Sequence, residues 1–430
     1  MSKKINLAYE WIGPNGPLTN NRLPTIADLM TGSVNYHFPQ LKGDLFQKPH
    51  FHSRIVNSNI VPTYKLPKET FLYELNWTTF HYRDKFHNFH SADGFFDNNN
   101  IHEEVLNRVR SKTAYFLVTL FYEGYMDDEF LDHLENYFTS KNIPLTQVIY
   151  LSNCYNGVEV YEDYCKRKSK QPQMQMEYFP VFRIDQCNVG QAINSSLTTG
   201  YHPGPRKKTF LCFNRRYNDH RLLLYLKMFK EGLVENSHYS MDKNQPEANR
   251  TFIENCKYLL SRFTDYNLTS DDVLAADKIL PLVLDNPNFS RYPMEHNTDP
   301  VIHLYQTSLV NVVTETYFFS NVIHITEKTY KPIAFMQPFV LLAAPFSLKH
   351  VKDMGFKTFS DFWDESYDTE TDHKIRFDKI IEVLKYIASW SEEQRIDFTY
   401  KVKNILEYNV NHLNTMVNIE IEQLVEKYGR

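Results

Sequence analysis

Glycine is scarce in this chain of 430 residues, with 13 occurrences, and cysteine is scarcer, with five. So little glycine argues against a loop-rich or repeat architecture. The cysteines are odd in number and form no C-x-x-C pair, which argues against a disulfide framework and against a zinc site. No apolar run approaches a membrane span, and Met1–Asn6 contains no apolar signal core. These absences predict a cytoplasmic protein without a membrane partner.

Several motifs of large enzyme classes are also missing. The chain contains no G-x-x-x-x-G-K-[ST] loop and no G-x-G-x-x-G turn, so P-loop and Rossmann cofactor chemistry have no support. It contains neither a G-x-S-x-G elbow nor an H-E-x-x-H pair. His81, His87 and His90 lie close together in the sequence and are expected to be packing residues, with a metal site as the alternative. No D-x-D follows a buried strand. The sequence therefore predicts no metal site.

The net charge of −5 gives no overall nucleic-acid signature. Basic residues do cluster locally, at Lys166–Lys170 and at Arg206–Lys208. Such runs usually form solvated faces, and a DNA or phosphate-bearing acceptor is the alternative.

The length exceeds that of one hydrophobic core, so two domains are expected. Buried strands alternate with amphipathic helices in both halves, which predicts an α/β fold with parallel sheets. The turn-rich, charged segment Tyr201–Lys208 is the best linker candidate. We therefore predict an acceptor-side domain over 1–205 and a donor-binding domain over 206–430 that ends in a helical tail. The predicted strands include Ala114–Leu120, Gln147–Leu151, Thr209–Phe213 and Leu309–Glu315, and the predicted helices include Met126–Phe138 and His220–Glu231.

The first candidate binding motif is Asn214-Arg215-Arg216, which follows a predicted buried strand and precedes a helix. Arginine forks suit phosphate oxygens, and a helix N-terminus adds N–H donors and a favourable dipole. The alternative is that the arginines form salt bridges to the tail helices.

The second motif is Thr326-Glu327-Lys328. It lies between a predicted strand end at Ile323 and a short helix that Pro332 interrupts. A carboxylate here can accept hydrogen bonds from ribose hydroxyls, and the adjacent ammonium can neutralise a diphosphate. The alternative is a Thr N-cap with an exposed Glu and Lys in the first turn. Both motifs lie at strand-to-helix junctions of one predicted domain, so they are expected to converge on a nucleotide diphosphate.

The segment Ile325–Phe335 with Gln337–Val340 resembles the donor-binding motif of α1,3-fucosyltransferase-type glycosyltransferases. It is closer still to fucosyltransferase-like proteins of tailed phages and some bacteria, which Phe213–Arg216 with His220-Arg221 also resembles. The resemblance covers roughly residues 208–359. It implies a GT-B fold, with two Rossmann-like domains facing across a cleft. It also implies that Glu327 binds ribose, that Lys328 binds diphosphate, and that Arg215 or Arg216 supplies the second positive charge. The continuation Tyr330-Lys331-Pro332 departs from the family pattern, so the donor base and sugar stay open.

The resulting prediction is an inverting glycosyltransferase with no cofactor beyond its nucleotide-sugar donor. Glu10, directly after the first strand, and Glu123, after the strand that ends at Leu120, are the candidate general bases. The acceptor is a hydroxyl group, either on a glycan or on a hydroxymethylated base of phage DNA, in which case the protein would act in the host cytoplasm. The alternative function is a noncatalytic nucleotide- or carbohydrate-binding protein on the same scaffold.

Overall fold

The computed structural model describes residues 5–9, 58–62, 70–76, 81–83, 89–91, 103–120, 124–180, 183, 201–214, 217–243, 251–284 and 299–415. The chain divides into two compact units. The first comprises Met1–Val181 with Val417–Arg430, and the second comprises Phe182–Met416.

The first unit is built on a six-stranded sheet in which every described pairing is parallel. The strand order is β2-β1-β3-β6-β7-β8, and β4 and β5 form a separate antiparallel pair. The strands are β1 Ile5–Tyr9, β2 Ser58–Pro62, β3 Phe71–Asn76, β4 His81–Arg83, β5 Phe89–Ser91, β6 Ala114–Leu120, β7 Val148–Ser152 and β8 Gln175–Tyr178.

Three described helices accompany this sheet: α1 Glu103–Arg110, α2 Asp128–Ser140 and α3 Gly157–Arg167. Helix α2 begins where the Asp127 side chain accepts a hydrogen bond from the amide of Phe130 at 2.9 Å. Its apolar residues recur at helical spacing, and Phe130, Leu131 and Leu134 are completely buried. The predicted alternation of buried strand and amphipathic helix is therefore present in this unit.

The basic cluster Lys166–Lys170 lies at the end of α3 and pairs with acids of α2. Arg167 Nη2 lies 2.5 Å from Asp128 Oδ1, and Lys168 Nζ lies 2.7 Å from Asp132 Oδ2. These residues are solvent-exposed, so each pair contributes little stability. The cluster is an ion-paired helix face, in line with the first of its two sequence interpretations.

The second unit is built on a four-stranded parallel sheet with the order β10-β9-β11-β12. Its strands are β9 Lys208–Phe213, β10 Ser237–Ser240, β11 Ser308–Thr314 and β12 Phe339–Leu342. Every residue of β11 and β12 is buried. Continuous burial of this kind is typical of a parallel sheet covered on both faces.

The described part of the second unit contains eight α-helices, and several of them begin with side-chain caps. Thr251 and Thr269 each form a reciprocal capping box with the third helical residue. Ser391 forms a further box, because Gln394 N donates to Ser391 Oγ at 3.2 Å and Ser391 N donates to Gln394 Oε1 at 2.8 Å. The helices are α4 Asp219–Lys230, α5 Phe252–Arg262, α6 Ser270–Asp277, α7 Asp299–Thr307, α8 Glu327–Ala334, α9 Ser347–Asp353, α10 His373–Ala388 and α11 Glu392–Thr415.

The α/β class with a helical C-terminal part is confirmed. The segment Tyr201–Lys208, predicted as a linker, lies within the second unit. There Gly204 N donates to Thr399 Oγ1 at 2.8 Å, and Arg206 Nη2 donates to His202 O at 2.7 Å. The predicted domain boundary after residue 205 stays a prediction.

The predicted strand end at Ile323 is wrong, because the chain between β11 and α8 contains no strand and only a single bridge residue, His324. Both long sides of β11 already pair, with β9 on one side and β12 on the other. The run from Val322 to Ile325, which is β-branched except at His324, therefore has no place beside β11, although its side chains are buried. The next backbone amide, that of Thr326, donates to a side chain instead of a strand.

Candidate functional site

The strand order of the second unit reverses between β9 and β11. The chain passes from β9 to β10 on one side, and then returns past β9 to form β11 and β12 on the other. Ligands of open α/β sheets bind outside the carboxyl ends of the strands at such a switch point. The residues that follow Phe213 and Thr314 therefore mark the candidate site.

Asn214 ties the ends of three strands together at this edge. Its side chain is buried, and its Nδ2 donates to Tyr239 Oη at 2.9 Å. Its backbone amide donates to Ser240 O at 3.1 Å, and its Oδ1 accepts a hydrogen bond from Thr314 Oγ1. Asn214 thus joins β9 to β10 and β11 directly before Arg215, and its predicted contact with the donor stays a prediction.

The N-terminus of α4 lies at the same edge. His220 Nε2 donates to Glu315 O at 2.9 Å, and Arg221 Nη2 donates to Thr314 O at 3.3 Å. Burial, together with the charges of Arg221 and Lys328, lowers the pKa of His220 to about 3. The imidazole is therefore neutral near pH 7, with its hydrogen on Nε2, because a carbonyl oxygen can only accept.

Helix α8 begins at this edge with the second predicted motif. The Thr326 hydroxyl caps the helix by accepting from Lys328 N at 3.3 Å. Lys328 Nζ lies 3.1 Å from Thr326 Oγ1 and 3.2 Å from Glu327 Oε1. Among the described residues these two atoms are its only polar contacts, so one of its three N–H donors is left for a ligand. The structure thus brings Asn214 and Thr326–Lys328, which are distant in sequence, to one sheet edge.

The Thr N-cap that the alternative interpretation expects is present. The glutamate that follows it is not exposed as that interpretation expects, because the Glu327 side chain is only 11% exposed. Burial by itself would raise the pKa of the Glu327 carboxyl. The charges of Lys328 and Lys331 and a hydrogen bond from Lys328 outweigh burial and hold the pKa at about 2, below the ordinary 4.5. A carboxylate that stays ionised while shielded from water is a strong acceptor for ligand hydroxyls.

This pKa shift predicts a pH dependence of stability. The folded pKa of Glu327 lies below the unfolded value, so the group stabilises the fold above about pH 4.5 and loses that contribution as the pH falls toward about 2. In a Lys328→Met variant the pKa of Glu327 is expected to rise. The difference in Tm between wild type and variant should therefore narrow on acidification from about pH 6 to about pH 3.

Calorimetric melting over that pH range checks this expectation. Lys352→Met is a suitable control, because Lys352 Nζ pairs with the buried carboxylate of Glu365 at 3.0 Å elsewhere in the unit. A Tm difference between wild type and Lys328→Met that stays constant down to about pH 3 would show that Lys328 does not hold the pKa of Glu327 down.

Sequence reasoning missed Glu315, the residue that follows β11. It is completely buried, and its carboxylate accepts from Thr326 N at 3.0 Å, from Thr326 Oγ1 at 2.6 Å and from Thr329 Oγ1 at 2.6 Å. A charged residue at the end of an apolar run was the available signal, since buried carboxylates need partners.

The unusual continuation of the motif has structural roles. Tyr330 is completely buried, and the charge of Lys331 helps to lower the pKa of Glu327. Pro332 lacks the N–H that would bond to Lys328 O, and the helix ends two residues later at Ala334. Met336, with a φ of 51°, then turns the chain toward β12.

Four predicted site residues lie outside the described residues: the candidate bases Glu10 and Glu123 and the arginines Arg215 and Arg216. In the described ranges, no group of three or more His, Cys, Asp or Glu side chains is placed to hold a metal ion. Nor does that part of the chain contain a helix long and apolar enough to cross a membrane.

No known family model matches the sequence, and a comparison with curated proteins finds no match. Among solved structures, the chain is similar to a DNA-modifying β-glucosyltransferase solved with and without uridine diphosphoglucose. That match has 10% identity and a TM-score of 0.41, and it covers 98% of this chain and 100% of the other. A second is an α1,3-fucosyltransferase with GDP, at 9% identity and a TM-score of 0.30, covering 97% and 91%.

A third similar structure is a glycosylation-associated protein complex from Streptococcus agalactiae. It has 9% identity and a TM-score of 0.28, and the match covers 82% of this chain but only 55% of the other. An α1,3-fucosyltransferase, of the type that the sequence motifs resemble, is thus among the similar structures.

Proposed function

We propose that this protein is a glycosyltransferase that uses a nucleoside-diphosphate sugar, bound by the second unit. One observation carries the proposal. Glu327 and Lys328 start a helix at the switch point of a parallel sheet, beside the strand end that leads into Arg215-Arg216. Resemblance to α1,3-fucosyltransferase-type enzymes in these same residues supports it.

The chemistry of the two side chains suits the two halves of such a donor. Glu327 is ionised and nearly buried, and we propose that it accepts hydrogen bonds from the ribose hydroxyls. The ammonium of Lys328 would bind the diphosphate, and the dipole of α8 would favour the negative charge there. Arg215 or Arg216 would add the second cation, and this charge would stabilise the diphosphate as it leaves the sugar.

The acceptor half is assigned to the first unit. We propose that Glu10 or Glu123 deprotonates the acceptor hydroxyl for an inverting transfer, which is worth roughly 10²–10⁴-fold in rate. A hydroxymethylated DNA base as acceptor rested on the basic clusters alone. Because Arg167 and Lys168 are paired with acids of α2, the Lys166–Lys170 cluster does not favour a DNA acceptor over a glycan hydroxyl.

A thermal-shift screen tests the donor class. UDP-, GDP- and ADP-linked sugars carry a diphosphate, whereas CMP-linked sugars carry one phosphate. We expect at least one diphosphate-linked sugar to raise the Tm, because a ligand at 100 times its Kd stabilises the fold by about 2.7 kcal/mol. CMP-linked sugars are expected to have little effect.

Release of the nucleoside diphosphate, measured with the donor that the screen selects, then separates the two functions that share this scaffold. Slow release into water, accelerated by a hydroxyl acceptor, is the result expected of a transferase. Saturable binding with no release would identify a noncatalytic binding protein. A screen in which no diphosphate-linked sugar raises the Tm would refute the proposed donor.

A further inference from the structure

The structure assigns a positioning role to Glu315: this buried carboxylate fixes the first turn of α8 and thereby places Glu327 and Lys328 for the donor. The role in donor binding rests on the proposed function. The hold of Glu315 on the helix is a property of the free protein.

The contacts of Glu315 fall on both sides of the donor-binding pair. Its Oε1 accepts from Thr326 N at 3.0 Å and from Thr329 Oγ1 at 2.6 Å, and its Oε2 accepts from Thr326 Oγ1 at 2.6 Å. Thr326 directly precedes Glu327, and Thr329 directly follows Lys328. One carboxylate therefore clamps the chain on either side of both residues.

Glu315 is itself held by two other elements. Its backbone amide donates to Leu342 O, the last residue of β12, at 3.0 Å. Its backbone carbonyl accepts from His220 Nε2, at the start of α4, at 2.9 Å. The carboxylate thus connects the N-terminus of α8 rigidly to the sheet and to the helix that follows the Arg215-Arg216 segment.

Arg221 supplies a positive charge near this carboxylate. It is 7% exposed, and its charge interacts with those of Glu315 and Glu327. Within the described ranges, its Nε has no hydrogen-bond partner and Nη2 bonds only to Thr314 O. Arg221 therefore acts on Glu315 through charge and not through a fork-to-carboxylate pair.

The consequence for the donor is geometric. A binding or catalytic group is effective only when its supporting contacts hold it close to the productive position, and a displacement of about 1 Å can cost about 100-fold. Glu327 and Lys328 are in the first turn of an eight-residue helix. A helix this short is not stable by itself, so its start depends on contacts such as those of Glu315.

A matched set of threonine variants tests the inference. Thr329→Val keeps the shape of the side chain but removes its hydrogen bond to Glu315, and Thr329→Ser keeps the hydroxyl. Thr358→Val is the control, because Thr358 Oγ1 donates to the buried Glu365 Oε2 at 2.7 Å, outside the candidate site. Glu315→Gln, which replaces one acceptor oxygen with a donor, serves as a second route if Thr329→Val fails to fold.

The first readout is hydrogen exchange of the amides of residues 326–331 in the free protein. We expect exchange about ten-fold faster in Thr329→Val, and rates near wild type in Thr329→Ser and Thr358→Val. Unchanged exchange in both Thr329→Val and Glu315→Gln would overturn the positioning role, whether or not a nucleotide binds.

The second readout is the Kd for the nucleoside diphosphate that wild type binds most tightly, out of UDP, GDP and ADP. We expect a Kd about ten-fold higher for Thr329→Val, restored in Thr329→Ser and unaffected in Thr358→Val. Equal Kd values in Thr329→Val and wild type would overturn the donor-placing part of the inference. If wild type binds none of the three nucleotides, the proposed function fails, and the exchange data alone decide whether Glu315 holds α8.

Discussion

Replacing Lys328 with alanine is expected to weaken the binding of a nucleoside diphosphate by about 100-fold. A hydrogen bond to a charged group contributes about 1.5–3 kcal/mol, and every 1.4 kcal/mol is about ten-fold in Kd. The variant keeps Lys331, whose charge also lowers the pKa of Glu327, so the carboxylate should stay ionised near neutral pH. Isothermal titration calorimetry with UDP, GDP and ADP measures the change.

Lys352→Ala is the matched control for this substitution. Like Lys328, Lys352 is partly exposed and pairs with a buried carboxylate, at 3.0 Å from Glu365 Oε2. Its removal should lower stability modestly and leave nucleotide binding unchanged. If Lys328→Ala binds the nucleotide as tightly as Lys352→Ala does, the ammonium of Lys328 does not contact the diphosphate.

Replacing Glu327 with glutamine is expected to weaken discrimination between a nucleoside diphosphate and its 2′,3′-dideoxy analogue. In wild type the two ribose hydroxyls should improve Kd by about 10- to 100-fold, since both would donate to an ionised carboxylate. The amide of the variant has nearly the same size but no charge, and one of its two polar atoms can no longer accept.

This experiment compares ligands within each variant, so a general loss of stability cancels. Thr358→Val, which alters a buried contact of Glu365, should retain the full discrimination. If both Kd values in Glu327→Gln equal those of wild type, the ribose binds elsewhere. A uniform rise for both ligands would indicate that Glu327 acts only through Lys328.

Much of the fold follows from local patterns. The strand Ala114–Leu120 is found within the predicted bounds, and the strand Thr209–Phe213 extends one residue further, to Lys208. Both are continuous apolar runs that only a sheet covered on two faces can bury. The placement of Asn214 and Thr326–Lys328 at one sheet edge was also predictable, because carboxyl ends of parallel strands meet at one edge.

The errors occur where long-range contacts decide the conformation. The run Val322–Ile325 has the composition of a strand, but β11 already has two neighbours, which its local sequence cannot reveal. Glu315 looks like the end of the predicted strand, and its partner Thr326 lies 11 positions further along the chain. That the carboxylate turns back onto the start of α8 depends on tertiary packing, not on propensity.

The central claim is that the switch-point edge of the second unit binds a nucleoside diphosphate. Its most direct test is a crystal structure with the nucleotide that the screen selects. We expect a diphosphate oxygen within hydrogen-bond distance of Lys328 Nζ, the ribose hydroxyls on Glu327, and Arg215 or Arg216 on the phosphates. A nucleotide bound at any other place on the protein, with the Glu327–Lys328 pair making no contact with it, would contradict the account.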